Sequence, residues 1–359
     1  MERLADALNP ASLDGLLLIG DSNIRYITGF TGSESYAIVS GNASGNARCF
    51  ITDSRYTEQA EAECEGFEVI RWRSPAPGLA DTFRSICGKY GIKRLGFEKN
   101  KVTYELFEKL SNNLGDIELV PTSGLVESIR YVKDEDEADC IRKAARIADE
   151  AFSELLGFIR AGVTEKDIER ELQYLIKKKG AEDIGFPTIV ASGKRSSLPH
   201  AIPSDKKIEK GDFITMDFGA MYMGYRSDMT RTIVVGAADP RQVEIYNIVR
   251  AAQEKAESAI RAGVSGKVPD DCARGHISAA GYGECFGHGL GHGVGLDIHE
   301  EPFMSSSCER TLEEGCIVTV EPGIYIPDWG GVRIEDTVLV KPEGIEILTG
   351  SSKELLVIG

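Results

Sequence analysis

Several short signatures of enzyme chemistry are missing from this sequence of 359 residues. It has no His-Glu-x-x-His zinc motif and no Gly-x-Ser-x-Gly nucleophile elbow. The run GLGHGVG (289–295) lacks the strand and helix that flank a dinucleotide-binding turn, and AGVSGKV (262–268) lacks the spacing of a phosphate-binding loop. The eight cysteines include no Cys-x-x-Cys pair, so we expect free, mostly buried thiols in a reducing cytoplasm.

The chain also lacks the features that mark membrane and nucleic-acid proteins. No run approaches the roughly 20 uncharged apolar residues that a membrane helix needs. The formal net charge is −16, whereas nucleic acids and anionic membranes are bound by basic surfaces. The opening segment MERLADALNP carries acidic residues and has no apolar core, so we expect no signal peptide and a cytoplasmic location.

Length and patterning favour two domains. A chain of 359 residues with 42% hydrophobic and 27% charged residues is typical of a soluble protein with two globular domains. Residues 1–123 alternate strand and helix patterns, which predicts a small α/β domain, and residues 124–359 form the second domain. In the first domain we predict strands around 14–20, 36–40 and 47–53, and helices around 54–64, 78–90 and 103–113, the last with Thr103 as its N-cap.

The second domain is predicted to open with two helices. Apolar residues recur at helical spacing from Ile141 to Ile159, and Gly162 is predicted to end that helix. Thr164 and Asp167 then form the pattern of a capping box for a second helix.

The second domain also partly repeats itself. The run IRAGVT at 159–164 returns as IRAGVS at 260–265, an offset of 101 residues (260 minus 159). Downstream of each copy comes a predicted strand pair with two acidic residues. We therefore expect an α+β unit duplicated about a pseudo-twofold axis, which would bring two acidic hairpins face to face.

The first acidic hairpin is FITMDFGAMYMGYRSDMTRTIVV (213–235). A turn centred between Tyr222 and Met223 would set Asp217 opposite Asp228, with Cβ atoms about 5 Å apart. Two carboxylates at that distance repel each other unless they are protonated or bridged by a cation. A metal ion is therefore the predicted partner.

The second acidic hairpin is CIVTVEPGIYIPDWGGVRIEDTVLV, and a centre at Asp328 sets Glu321 opposite Glu335. Four carboxylates and an imidazole would give the oxygen-rich ligation that suits Mn, Co, Fe or Zn. Asp212 and Asp336, by contrast, we interpret as ordinary surface acids.

Histidine is scarce, with five in the chain, yet three of them fall within FGHGLGHGVGLDIHEEP. These are His288, His292 and His299, and glycine neighbours allow the backbone to come close to a ligand. A functional role is therefore predicted for this segment. His276 has no such context, and we interpret it as an ordinary residue.

These segments resemble a known family. The runs MDFGAMYMGYRSDMTRT, FGHGLGHGVGLDIHEEP, VTVEPGIYI and GGVRIEDT resemble the metal-binding motifs of the methionine-aminopeptidase-like peptidases, which share the pita-bread fold. GFPTIVASGKRSSLPHAIPSD and SNIRYITGFTGSESYAIV resemble the catalytic and N-terminal domains of its Xaa-Pro branch, the creatinase and prolidase type. The resemblance covers nearly the whole chain.

The resemblance implies a site and a substrate. It implies two divalent metal ions, Mn or Co ahead of Zn or Fe, and a peptide substrate with proline in second position. It also implies a homodimer, while the net charge of −16 argues against nucleic acid or an anionic membrane as the main partner. The implied metal ligands are Asp217, Asp228, His292, Glu321 and Glu335. The implied catalytic residues are His200, His288, His299 and Arg333, with Glu321 as the proton shuttle.

Within this family, an Xaa-Pro aminopeptidase is our preferred function and an Xaa-Pro dipeptidase, or prolidase, is the alternative. Both share the same ligand set. A methionine aminopeptidase is disfavoured, because that branch usually lacks an N-terminal α/β domain of this size. A non-catalytic peptide-binding relative is the alternative from another class, and the intact ligand set disfavours it.

Overall fold

A computed structural model describes residues 4, 7–8, 11–40, 46–73 and 75–359. Most of the segment behind the signal-peptide expectation lies outside these residues. The chain divides into two units, Met1–Arg130 and Tyr131–Gly359, seven residues after the predicted boundary (130 minus 123). The difference arises from the helix Leu125–Arg130, which belongs to the first unit because Val126 packs into that unit's core.

The first unit is built on a mixed six-stranded sheet of order β4-β3-β2-β1-β5-β6. β1 pairs with β2 and β2 with β3 in antiparallel fashion, whereas the other pairs are parallel. The predicted strands and helices of this unit are confirmed, including Thr103 as an N-cap. The elements are β1 (Gly15–Leu18), α1 (Asp21–Thr28), β2 (Tyr36–Val39), β3 (Arg48–Thr52), α2 (Thr57–Glu63), β4 (Glu68–Arg71), α3 (Leu79–Tyr90), β5 (Arg94–Glu98), α4 (Tyr104–Asn113), β6 (Glu118–Thr122) and α5 (Leu125–Arg130).

Helices cover both faces of this sheet. Successive residues of a strand point to opposite faces, and Leu17 accordingly packs with Phe83 of α3, while Leu16 and Leu18 pack with Ile24 of α1. The three-layer arrangement confirms the predicted α/β class.

The second unit is an α+β fold with two helix pairs and several sheets, which are antiparallel except where β20 pairs with β12. Its helices are α6 (Glu135–Leu155), α7 (Glu165–Lys178), α8 (Pro240–Ala259) and α9 (Lys267–Ala279). Its strands are β7 (Asp183–Ile184), β8 (Ile189–Ser192), β9 (Phe213–Phe218), β10 (Ala220–Tyr222), β11 (Tyr225–Arg226), β12 (Met229–Val235), β13 (Gly291–Gly293), β14 (Glu300–Met304), β15 (Ile317–Val320), β16 (Gly323–Ile326), β17 (Gly330–Arg333), β18 (Asp336–Lys341), β19 (Gly344–Ile347) and β20 (Val357–Ile358).

The long first helix α6 is shorter than predicted. It ends at Leu155, not at Gly162, although Ile159 is buried as expected. Gly157 is a poor helix former, and the chain there tightens into i to i+3 bonds, with the Phe158 amide donating to the Leu155 carbonyl. The capping box of Thr164 and Asp167 on α7 is confirmed.

Backbone hydrogen bonds confirm the internal duplication. After α6, the Gly162 amide donates to the Ile208 carbonyl at 2.9 Å, and after α8 the Gly263 amide donates to the Leu312 carbonyl at 2.9 Å. Both glycines have positive φ, +96° and +90°. The first helix pair packs on β8, β9 and β12, and the second packs on β15 and β18. Each half thus repeats the same helix pair, glycine turn and antiparallel sheet.

The register of the first hairpin differs from the prediction. Its turn is formed by Met223 and Gly224, with φ of +49° and +78°, so Asp217 lies opposite Thr230 and not opposite Asp228. The centre is therefore one residue further along the chain than predicted. Because the resulting register shift is two residues, Asp228 stays on the same face of the hairpin as Asp217.

The register of the second hairpin is confirmed. Val320 pairs with Asp336 on one side of the acidic residues, and Gly323 pairs with Arg333 on the other. Between these two ladders the pairing is interrupted, and Glu321 and Glu335 occupy the interruption.

The interpretation of Asp336 as a surface acid is wrong. Its side chain is fully buried, and its carboxylate lies 2.7 Å from Arg231 Nη2 and 3.0 Å from Lys353 Nζ. Gln253 and Thr349 also donate hydrogen bonds to it. Although burial raises the pKa of this carboxyl, the two cations and these bonds bring it well below its usual range. Asp336 is therefore a structural ion-pair residue.

Candidate metal centre

The predicted ligands lie where the strands of the second unit are interrupted. Asp217 is near the end of β9 and Asp228 directly precedes β12, while Glu321 directly follows β15 and Glu335 directly precedes β18. His292 is the central residue of β13. Both hairpins are interrupted beside their acids, and all five side chains line the same cavity.

All nine predicted site residues line one cavity of about 510 Å³. Phe186, Ile298 and Phe303 supply apolar wall beside them. Close strand packing forms the floor, since a Cβ atom at Gly291 would lie 2.1 Å from the Thr319 carbonyl oxygen. Only glycine allows β13 to lie so near β15, where the His292 amide donates to Thr319 Oγ1.

The donor atoms are close enough to share ions. Ligand atoms of Asp228, His292 and Glu335 all lie within 4.8 Å of one another. His292 Nε2 is 3.6 Å from Asp228 Oδ2 and 3.3 Å from Glu321 Oε1. Donors that bind one transition-metal ion at about 2.1 Å lie roughly 3 to 4 Å apart, so these spacings suit a metal site.

The ionised form of three acids in this cavity is disfavoured by its surroundings. Burial, and then repulsion from neighbouring carboxylates, raises the pKa of both Asp228 and Glu335 well above the usual range. Burial raises the pKa of Glu321 to about 8. Burial also lowers the pKa of His292 to about 4, so its imidazole is neutral at pH 7 and able to coordinate a cation.

Two unsatisfied oxygens indicate what the site binds. Among the described residues, Asp217 Oδ1 and Asp228 Oδ1 are buried and have no hydrogen-bond partner. A buried oxygen without a partner destabilises the folded protein unless a ligand binds it. Arg333 is the one cation lining the cavity and offsets only part of the charge of four carboxylates; no cysteine of the described chain lines it. A site in which carboxylate oxygens and imidazole nitrogen outnumber the single cation, and in which the described residues supply no thiol, fits hard or borderline divalent cations.

Comparison with known proteins agrees with this donor set. The model of metallopeptidase family M24 matches residues 139–342, which is more than half of the chain. The chain belongs to metallopeptidase family M24. The creatinase/prolidase N-terminal domain matches residues 1–132, so the family prediction is confirmed over both units.

Relatives of this M24 metallopeptidase align over nearly their full lengths. A solved Xaa-Pro dipeptidase from Bacillus anthracis is 45% identical, with a TM-score of 0.94 over 99% of this chain and 98% of that one. A solved X-Pro aminopeptidase from Thermotoga maritima is 40% identical, with a TM-score of 0.90 over 98% and 100%. The Xaa-Pro dipeptidase of Pyrococcus horikoshii is 38% identical over 99% of this chain and 98% of its own. The pita-bread prediction is confirmed.

The three remaining histidines of the M24 site surround the acids. The His299 ring lies 4.4 Å from the His292 ring, measured between centroids, at an angle of 78°. His288 Nε2 is 3.1 Å from the Tyr325 hydroxyl, and burial lowers the pKa of His288 to about 4. His276 lies outside the cavity, on α9 next to Lys255, as the sequence interpretation expected.

His200 is placed by a loop that follows β8. The loop is held by Glu165, whose fully buried carboxylate accepts hydrogen bonds from the amides of Ser192 (2.8 Å) and Ser204 (2.9 Å). Arg195 Nε completes the arrangement at 3.0 Å from Glu165. The position of His200 therefore depends on an acid at the start of α7.

Sequence reasoning missed three residues that support the acids. Thr230 Oγ1 donates to Glu335 at 2.6 Å and accepts from Arg333 Nε at 2.9 Å. Thr319 Oγ1 donates to Glu321 at 3.2 Å and accepts from the His292 amide. Tyr325 accepts from Arg333 Nη1 at 2.9 Å. No local signal marks these residues, because their roles depend on strand register and on contacts between the hairpins.

Arg333 links the acids to the surrounding loops. Its Nη2 atom lies 2.7 Å from Asp217 Oδ2, and its Nη1 atom donates to the Pro199 carbonyl at 3.2 Å. Arg333 thus fixes one oxygen of Asp217 and leaves the other, unsatisfied one directed to the cavity. Separately, no helix of the described residues is long and apolar enough to cross a membrane.

Proposed function

We propose that this M24 metallopeptidase hydrolyses Xaa-Pro dipeptides with two divalent metal ions bound in the described cavity. The observation that carries the proposal is the convergence of nine residues, including four carboxylates with two unsatisfied oxygens, on one cavity. The names of two relatives, at 45% and 38% identity, support the dipeptidase over the aminopeptidase that the sequence favoured.

Xaa-Pro aminopeptidase activity is the second candidate. A relative at 40% identity carries that name, and the two activities require the same metal ligands. A non-catalytic binding role receives no support from the site, because a binder has no need for buried carboxylates that repel each other.

Asp217, Asp228, His292, Glu321 and Glu335 would hold the ions. When bound, the ions would polarise the scissile carbonyl and lower the pKa of the attacking water. Mn or Co is the proposed metal, and Zn and Fe have ligand preferences that overlap.

The chain's own side chains would transfer the proton, stabilise the oxyanion and orient the substrate. Glu321, whose carboxylate lines the cavity 3.3 Å from His292 Nε2, would accept a proton and pass it to the leaving proline nitrogen. His299 would donate to the oxyanion. His288 and His200 would orient the peptide, and Arg333 would keep Asp217 in place.

The cavity wall supports the proposed substrate class. Phe186, Ile298 and Phe303 give an apolar surface, which suits a proline ring. A homodimer, which rests on the resemblance to the family, and a cytoplasmic location, which rests on eight cysteines without a Cys-x-x-Cys pair, are part of the same proposal.

Paired substrates test the proposal. We expect metal-reconstituted enzyme to cleave an Xaa-Pro dipeptide and to cleave the matched Xaa-Pro-Xaa tripeptide at least about tenfold less efficiently, a ratio worth about 1.4 kcal/mol. A chelator should abolish both activities. Preferential cleavage of the tripeptide would make the protein an aminopeptidase. Cleavage of neither peptide by protein that holds two ions would contradict the proposed substrate class.

A further inference from the structure

Helix α9 carries a buried acid, paired with a partly exposed arginine, that the proposed chemistry does not use. Asp270 is fully buried, and its two oxygens accept hydrogen bonds from Arg274 Nε and Nη2 at 2.9 Å each. Residues four apart lie on the same helix face, and a guanidinium matches a carboxylate through two parallel bonds. The pair, which we call the α9 clamp, is therefore geometrically fixed.

The remaining bonds of the α9 clamp all go to one loop. Arg274 Nη1 donates to the Phe286 carbonyl at 2.9 Å, and Nη2 donates to the His288 carbonyl at 2.7 Å. Asp270 Oδ1 accepts from the Leu290 amide at 3.0 Å. The guanidinium carbon also lies 4.3 Å from the Phe286 ring centroid. Every second residue of the loop is thus tied to the clamp.

This loop has little structure of its own. Residues 286–290 belong to neither a helix nor a strand, and Gly287 and Gly289 add backbone freedom. Buried backbone groups outside regular structure need other partners. The α9 clamp supplies them for two carbonyls and one amide.

The loop leads directly into the candidate metal centre. The His288 ring packs edge-on against the Phe286 ring, with centroids 5.0 Å apart. The Leu290 carbonyl accepts the Glu321 amide at 2.8 Å. A displaced loop would therefore move the His288 imidazole.

We propose that Asp270 and Arg274 are positioning residues that fix the His288 imidazole over the reacting peptide. The inference rests on the proposed function, because His288 acts on a substrate only if this cavity is the active site. The clamp contacts neither the substrate space nor the candidate ligands' side chains. Its effect should fall on turnover and not on metal content.

The other half of the domain supports this assignment. There the buried Glu165, paired with Arg195, holds the loop that carries His200. In both halves an acid from the second helix, together with an arginine, fixes the loop of a histidine that lines the cavity.

Two substitutions of Arg274 test the inference. Arg274→Gln should lower kcat on the Xaa-Pro dipeptide by about 10- to 100-fold, the effect expected when a reacting group is displaced by about 1 Å. Arg274→Lys keeps the charge but cannot form two parallel hydrogen bonds with Asp270, so its kcat should lie between those of wild type and Arg274→Gln. Arg250→Gln is the matched control, because Arg250 also pairs with an acid four residues away, Glu254, but on α8. Both Arg274 variants should retain two ions.

A double-mutant cycle separates positioning from general destabilisation. If the clamp acts through His288, Arg274→Gln should have little further effect on kcat in a His288→Ala background. Full additivity of the two effects would overturn the inference, and so would loss of metal from Arg274→Lys.

Hydrogen exchange tests the clamp without reference to activity. In metal-loaded Arg274→Gln, the amides of residues 286–292 should exchange faster than in wild type, while exchange in α9 stays unchanged. Unchanged exchange in that loop would overturn the inference. If wild type cleaves no Xaa-Pro peptide but the loop loses protection, the proposed function fails while the clamp is supported.

Discussion

Asp228→Asn should lose at least one metal ion and reduce kcat/KM by about a thousandfold, since metal stabilisation of a transition state contributes several kcal/mol. Asp228 is close to His292 and Glu335, and its Oδ1 atom has no partner among the described residues. An amide keeps the shape of the side chain but removes the charge that balances a cation. Metal content and steady-state kinetics on the Xaa-Pro dipeptide measure the two effects.

The same substitution should have the opposite effect on the metal-free protein. In chelator at pH 8, we expect Asp228→Asn to melt at a higher temperature than wild type, because one of several buried, mutually repelling carboxyls is neutralised. Asp139→Asn is the control, since its carboxylate is 67% exposed and pairs with Arg142. A fully active Asp228→Asn enzyme without metal would contradict the assigned role.

The stability of the metal-free protein should fall as pH rises from about 5 to about 8. The pKa of Glu321 is about 8 in the folded protein, against 4.5 ordinarily, and the pKa values of Asp228 and Glu335 are raised in the same direction. A carboxyl with a raised folded pKa contributes stability that is present below its unfolded pKa and lost as pH rises through its folded pKa. Ionisation in this window therefore destabilises the chelated protein.

A bound metal ion offsets the destabilisation caused by these ionised carboxylates, because the deprotonated form is the one that binds metal. The difference in Tm between metal-loaded and chelated protein should widen between pH 5 and pH 8 by on the order of 10 °C. Taking the difference removes the pH dependence of groups outside the site. Asp228→Asn should show a smaller change. A difference in Tm that stays constant with pH would mean that these carboxyls are not the metal ligands.

The two hairpins show how far register can be predicted from sequence. The second was predicted correctly because its acids are symmetric about Asp328, and the ladders on both sides keep that symmetry. The first was misplaced by one residue because Met223 adopts a positive φ. Two-residue hairpin turns of this kind favour Asn or Gly at that position, so a methionine gives no signal.

Asp336 shows what local pattern cannot predict. It neighbours Glu335 on β18, and adjacent residues of a strand point to opposite faces. The side away from the metal centre is also buried, and Arg231 and Lys353, which offset its charge, come from other parts of the chain. Asp270 and Arg274 pose the same problem, since an acid and an arginine four residues apart usually form an exposed helix pair. Only tertiary contacts distinguish the two cases.

The chemistry of the site was more predictable than its geometry. Acids inside apolar strands, and three histidines among glycines, pointed to the residues that line the cavity. Thr230 and Thr319 were not predictable, because threonine is common in strands and their roles arise from one hydrogen bond each to Glu335 and Glu321.

The most direct test is a titration of chelator-stripped protein with Mn(II), followed by both metal content and cleavage of an Xaa-Pro dipeptide. We expect activity to rise until two ions are bound per chain and then to stay constant, and we expect Asp228→Asn never to bind two ions. Full activity with chelator present, or a plateau in activity with no ion bound, would contradict the dinuclear centre.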